Sequence, residues 1–162
     1  NTANLASSTR GIMAGGTISP TRTNTIQFVT INTLGNTVDF GDLTVTNLAS
    51  NIMYNGIGYS NSTRGIIHGG RDVNGNHMGK IQFITIATTG NSSEFGDTAV
   101  SAAHQMGGSS PTRGVVGSGY NPSVTNAMEF VNIMSLGNAS DFGDCTARDE
   151  VLGACSNGHG GL

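Results

Sequence analysis

The sequence has no tryptophan, and only 10% of its residues carry charge. Disorder through composition needs high net charge. Scarce charge, with β-branched residues in alternation, therefore points to an ordered, strand-rich protein. Basic residues are few as well. The seven Lys and Arg form no patch and the net charge is -3, which leaves no field to hold nucleic acid. No apolar run reaches transmembrane length and no signal pattern opens the chain, so membrane insertion is not expected. Helical periodicity is missing throughout. Cysteine is scarce: Cys145 and Cys155 both fall in the last quarter, with no counterparts upstream. A disulfide framework would be denser and would follow the rest of the pattern, so both are expected free and partly buried.

What the chain does have is repetition. Thr-Arg-Gly recurs at Thr9, Thr63 and Thr112. An apolar residue, an acid or amide, and a Phe recur at 26–28, 81–83 and 128–130. Gly-Asn follows at Gly35, Gly90 and Gly137, and acid-Phe-Gly-Asp at 39–42, 94–97 and 141–144. The core Phe precedes the Gly of Gly-Asn by seven residues in every copy, and that Gly precedes the next Phe by five. Between copies the spacing varies from 47 to 55, so strands are fixed and connecting loops are free. A period near 50 signals stacked β-units. The 162 residues read as a single repeat domain, 1–162, with copies over about 4–47, 56–100 and 104–147 and a partial fourth over 153–162.

Each copy divides into four short strands. A small-residue strand comes first (Leu5–Ser8, Gly56–Ser60, His104–Ser109, Gly153–Ser156), and small side chains suit a crowded innermost position. Gly11–Ala14, Gly65–His68 and Gly114–Gly117 come second. The third strand is the strongest: Thr25–Asn32, Lys80–Ala87 and Ala127–Met134. It carries apolar residues on both faces, as a strand buried on both sides does. Leu34-Gly35-Asn36 and its counterparts are turn chemistry. The fourth strand spans Val38–Val45, Glu94–Val100 and Asp141–Thr146. Gly15-Gly16 and Gly69-Gly70 end the second strand, where the backbone turns sharply or approaches another backbone. The third copy has Ser118-Gly119, so only the second glycine is strictly required.

A strand ending in Gly-Gly, a variable loop, an apolar third strand and an aromatic early in the fourth resemble the kelch repeat of β-propellers. Phe40, Phe95 and Phe142 take the place where many kelch repeats carry Trp. The resemblance covers nearly the whole chain. It implies an all-β, β-propeller-like fold of three four-stranded antiparallel blades plus the start of a fourth. The wording TRG…GG…IQF…GN…FGD also resembles repeats in virion-associated, tail-fibre-like proteins of marine and cyanobacterial phages. Some kelch propellers are copper oxidases with Tyr and His ligands. No such set maps onto Tyr54, Tyr59 or Tyr120, so the resemblance implies no cofactor here.

Cys155–Leu162 aligns with Tyr59–Ile66, so the sequence stops just inside the second strand of a fourth copy, while propellers close with about four to eight blades. The expectation is a piece of a longer propeller, in keeping with the opening Asn1, or several chains that complete one another.

The acid-Phe-Gly-Asp motifs hold three like-spaced pairs: Asp39/Asp42, Glu94/Asp97 and Asp141/Asp144. Paired carboxylates serve acid–base catalysis, but an active site is singular and these recur in every copy. They read as structural, as do Arg10, Arg64 and Arg113. Each of these arginines is expected to pair with Asp42, Asp97 or Asp144 near a blade boundary. Asp72-Val73-Asn74-Gly75-Asn76 opens like a calcium loop but lacks the closing Glu, and reads as a polar loop tip. His68, His77, His104 and His159 fall at different repeat positions, so no metal site is expected.

The loops TISPTRTN, RDVNGNHMG and YNPSVTN vary on an otherwise repeated scaffold, and binding residues tend to lie on such loops. Arg71, Asp72, Asn74, Asn76, His77, Tyr120 and Asn121 are the recognition candidates. The favoured reading is a non-enzymatic structural or adhesion protein of a virus particle, virion-borne or extracellular. Its expected partners are other virion subunits, further copies of the chain or a host-surface glycan. The competing reading is part of a larger kelch-type propeller enzyme acting on carbohydrate or by oxidation.

Overall fold

The computed structural model describes residues 2–18, 21–44, 52–147 and 154. The described residues form strands and turns without helix. The first sheet holds β1 (Ala3–Ala6), β2 (Arg10–Ile18), β3 (Thr21–Thr30) and β4 (Val38–Asp42). The second holds β5 (Ile57–Ser60), β6 (Arg64–His68), β7 (Lys80–Thr85) and β8 (Ser93–Asp97). The third holds β9 (Met106–Ser109), β10 (Arg113–Gly117), β11 (Ala127–Asn132) and β12 (Ser140–Asp144). In each sheet consecutive strands pair antiparallel in chain order. The fold is thus all-β and propeller-like, with three four-stranded blades.

The first strands of the blades lie side by side, β1 against β5 and β5 against β9. Their small residues have a steric cause. A Cβ on Gly58 would come 2.8 Å from the Asn4 carbonyl carbon, and one on Gly107 2.9 Å from Ile57 Cγ1. The Gly-Gly corners also behave as their chemistry requires. The first position has φ 63, 62 and 57, a left-handed conformation that Ser118 tolerates. The second has φ 113, 98 and 114, where only glycine is at ease.

The Phe-Gly of each fourth strand is a bulge. The register slips between Ile26 and Gln27, between Ile81 and Gln82, and between Met128 and Glu129, always opposite that dipeptide. The bulged Phe packs edge-on against the core Phe of its own blade, with Phe28–Phe40, Phe83–Phe95 and Phe130–Phe142 centroids 6.0, 6.2 and 6.0 Å apart.

Two apolar clusters make the core, and each fills a junction between blades rather than a blade interior. Leu5, Ile12, Ile26, Phe40, Ile67, Ile84 and Ile86 join the first blade to the second. Tyr59, Ile66, Ile81, Phe95, Val116, Val131 and Ile133 join the second to the third. Cohesion between blades is therefore mainly hydrophobic burial.

The repeated arginines are the main correction to the sequence reading. They do not pair with the Asp of Phe-Gly-Asp. Arg10 and Arg64 lie over the rings of Phe28 and Phe83, each 4.5 Å from the centroid. Arg10 Nη1 donates across the junction to Ile86 O (2.7 Å), and Arg64 Nη1 to Ile133 O (2.9 Å). A guanidinium can stack and donate at once, so a backbone carbonyl replaces the expected carboxylate. The Asp is instead held through its backbone by the Gly-Asn turn of the next blade. Gly90 N donates to Phe40 O (2.7 Å), Ser92 N to Asp42 O (2.9 Å), and Asp42 N to Asn91 Oδ1 (2.9 Å). One junction later, Gly137 N donates to Phe95 O (3.0 Å), Ala139 N to Asp97 O (2.8 Å), and Asp97 N to Asn138 Oδ1 (3.0 Å). The Asp97 carboxylate does find a cation, Lys80 at 2.7 Å, but within its own blade.

Other strand limits shift too. In the first blade β2 and β3 run on through much of TISPTRTN as a long hairpin. The fourth strands stop at Asp42, Asp97 and Asp144, several residues before the limits expected in the first two blades. The expected fourth copy at 153–162 lies outside the described residues except Ala154, as does Cys155. Cys145 is a half-buried free thiol.

Candidate functional site

The loops that follow the Gly-Gly corners meet at one end of the blades. Each corner throws its loop back over the blade, and single bridges such as Arg71 with His77 and Tyr120 with Val124 close the loops. Arg71 carries its guanidinium over the Tyr120 ring at 5.6 Å, and the His77 ring lies 5.9 Å from that same ring. Residues from the second and third blades thus form one surface. The first blade joins through Arg22, which stacks over Tyr54 at 4.1 Å and donates to Val73 O. Tyr54 is in turn bridged to Arg71 through the backbone.

Of the residues named from the sequence, Arg71, His77 and Tyr120 come together. Asp72 does something else. It is buried, its Oδ1 accepts from Asn74 N (2.9 Å) and Asn76 N (2.8 Å), and its Oδ2 accepts from Asn76 Nδ2 (3.0 Å). Burial pushes this carboxyl up, but those hydrogen bonds outweigh it and hold it below its ordinary value. Asp72 therefore shapes its loop and is not open to a ligand. Asn74 and Asn76 are exposed at the tip, and Asn121 donates through Nδ2 to Ser101 O.

Arg22 and Asn55 were not singled out in the sequence, and Tyr54 and His104 were weighed only as metal ligands, yet all four belong to this end. Asn55 and His104 hold matching places in their blades, with φ 56 and 58, and Asn55 Nδ2 lies 2.6 Å from His104 Nε2. Arg22 was legible: it lies in the first variable loop, as Arg71 lies in the second. Burial, then the charge of Arg71, then His104, lower the His77 pKa, so its ring stays neutral near pH 7. Arg71 Nε and His77 Nε2 are buried with no partner among the described residues. The surface offers guanidinium donors, tyrosine faces and a neutral imidazole. Such a set can stack on the apolar face of a sugar ring and bind a carboxylate by the planar fork of Arg.

A second cluster has the form of a catalytic relay. Tyr59 OH lies 3.0 Å from His68 Nδ1, and His68 Nε2 lies 2.8 Å from Glu129 Oε1. Glu129 Oε2 accepts from Ala99 N and, at 3.1 Å, from Val100 N. All three side chains are buried in the junction of the second and third blades. Burial, then the Glu129 charge, raise the Tyr59 pKa, so its hydroxyl stays protonated. With no access for a substrate, the relay locks the junction. Gln82 fills the matching place one junction earlier, where Thr44 N donates to its Oε1 at 3.1 Å.

Among the described residues, no group of three or more His, Cys, Asp or Glu is placed to hold a metal ion. No helix there is long and apolar enough to cross a membrane. No protein-family model matches the chain, and no curated protein is similar to it in sequence.

Proposed function

We propose that this chain is a non-enzymatic structural and adhesion protein of a virus particle, and that its loop end binds an acidic glycan on the host surface. One observation carries the reading: Arg71 and His77 of one blade converge on Tyr120 of the next, on loops that vary while the blades behind them repeat. Function lives in such sites rather than in the fold. The wording of the repeat, with its likeness to phage virion proteins, supports the particle and the extracellular setting. The kelch-like layout supports a rigid platform. The sealing of Tyr59, His68 and Glu129 away from solvent weighs against catalysis by that cluster.

The test is binding to immobilised oligosaccharides, neutral and carboxylated. Carboxylated sugars should bind, and the double variant Arg71→Ala, Tyr120→Ala should lose at least about tenfold in affinity, roughly 1.4 kcal/mol. Absence of binding to every sugar, or equal binding by the double variant, would refute the proposal.

A further inference from the structure

At the loop end the same contact is made twice, one blade apart. Arg22 of the first blade lies over the Tyr54 ring of the second at 4.1 Å. Arg71 of the second blade lies over the Tyr120 ring of the third at 5.6 Å. The two stacks adjoin. Tyr54 N donates to Arg71 O (3.1 Å) and Arg71 N to Tyr54 O (2.8 Å), so residues 54 and 71 are an antiparallel pair. The Cα atoms of a pair that exchanges both bonds lie about 5.5 Å apart. The order across the blades is thus Arg22, Tyr54, Arg71, Tyr120. Cation and ring alternate, and all four residues are half-buried.

Both guanidinium groups keep donors to offer. Each has five N–H groups. Arg22 gives one N–H to Val73 O, and Arg71 Nε has no acceptor among the described residues. Asp72 is the acid of the three variable loops, and its carboxylate already accepts from Asn74 N, Asn76 N and Asn76 Nδ2. Two like charges therefore stand on neighbouring stacks with no carboxylate of the loops turned to them.

We infer that the ligand of this end is a chain of acidic sugars laid across the blades, with successive carboxylates on Arg71 and Arg22 and sugar rings against Tyr120 and Tyr54. A single terminal sugar would leave one stack unused. This rests on the acidic-glycan reading above and names the form that the glycan takes. The planar fork of each guanidinium accommodates one carboxylate through paired N–H groups. Tyrosine offers an apolar ring with a polar tip, which suits a sugar ring. Joining two weak contacts in one ligand raises affinity through effective concentration. A monosaccharide goes to Arg71, which has the His77 ring beside its tyrosine at 5.9 Å and does not hold a neighbouring loop as Arg22 does.

The experiment is an NMR titration of the whole chain with galacturonic acid and with its linear tetramer. Four units facing one stack raise the apparent affinity only about fourfold by statistics, so the tetramer should bind at least about tenfold tighter than the monosaccharide. Arg22→Gln keeps an uncharged donor for Val73 O, and Tyr54→Leu keeps an apolar side chain. Each should weaken the tetramer at least about fivefold and leave the monosaccharide unchanged, which also shows that the variant folds. Arg71→Gln should weaken both ligands. A tetramer no tighter than about fourfold, or one that binds Arg22→Gln and Tyr54→Leu as tightly as the wild type, would overturn the inference and leave the acidic-glycan reading standing. Loss of the monosaccharide by those two variants would show one shared site and overturn it as well. Failure of both ligands to bind the wild type would overturn the inference and the acidic-glycan reading together.

Discussion

Replacing Arg64 by Ala removes two interactions at once, and a control within the same chain separates them. The guanidinium stacks on Phe83 at 4.5 Å and donates to Ile133 O at 2.9 Å. A hydrogen bond from a charged donor is worth about 1.5–3 kcal/mol. The stack, at a half-exposed side chain, adds about 0.5–1 kcal/mol. Arg64→Ala should therefore cost about 2–4 kcal/mol. For a chain of this size that lowers Tm by about 4–16 °C. Arg113 keeps the same stack at 4.4 Å but donates to no described residue within the chain. Arg113→Ala should therefore cost only about 0.5–1 kcal/mol. Thermal and urea unfolding of both variants measure the difference. Equal losses would show that the bond across the junction contributes nothing and that the arginines act through stacking alone.

Three further outcomes follow from the same contacts. Arg71→Ala should barely move the melting point, because its guanidinium meets only a ring 5.6 Å away and its Nε has no partner among the described residues. Gly96→Ala should cost about 1–3 kcal/mol in urea unfolding, since the new methyl must displace the Gly137 turn. Burial pushes the Glu129 carboxyl up, but the His68 bond and the Val100 and Ala99 N–H groups pull it further, so its folded pKa is lowered. That stability is present above the ordinary carboxylate pKa and is lost as pH falls through the folded value. Acid titration of stability should thus fall more steeply for the wild type than for Glu129→Gln, which keeps an acceptor as Gln82 does.

The blades were legible because their signal is local. Gly-Asn turns, apolar third strands and Gly-Gly corners each act within a few residues, and their spacing repeats. The partners of the arginines were not legible, because a backbone carbonyl leaves no trace in the sequence. Ile86 and Ile133 were visible only as third-strand apolar residues, whereas their carbonyls receive Arg10 and Arg64. The Asn of Gly-Asn was read as turn chemistry, and it is that. Its side chain also accepts from the preceding blade, a role set by distance between copies rather than by spacing within one. At the loop end, the sequence pointed to Arg71, His77 and Tyr120 through variability alone. It could not reveal that Asp72 folds inward, because a carboxylate that closes its own loop has the same composition as one that binds a ligand.

The claim beneath all of this is that each Gly-Asn turn is bonded to the blade before it. Amide hydrogen exchange by NMR reads those bonds one by one. The account predicts slow exchange at Gly90, Ser92, Gly137 and Ala139, whose N–H groups donate across the junctions. It predicts faster exchange at Gly35 and Thr37, the matching positions of the first blade, whose N–H groups donate to no acceptor among the described residues. Equal protection at all six amides, or fast exchange at the first four, would contradict it.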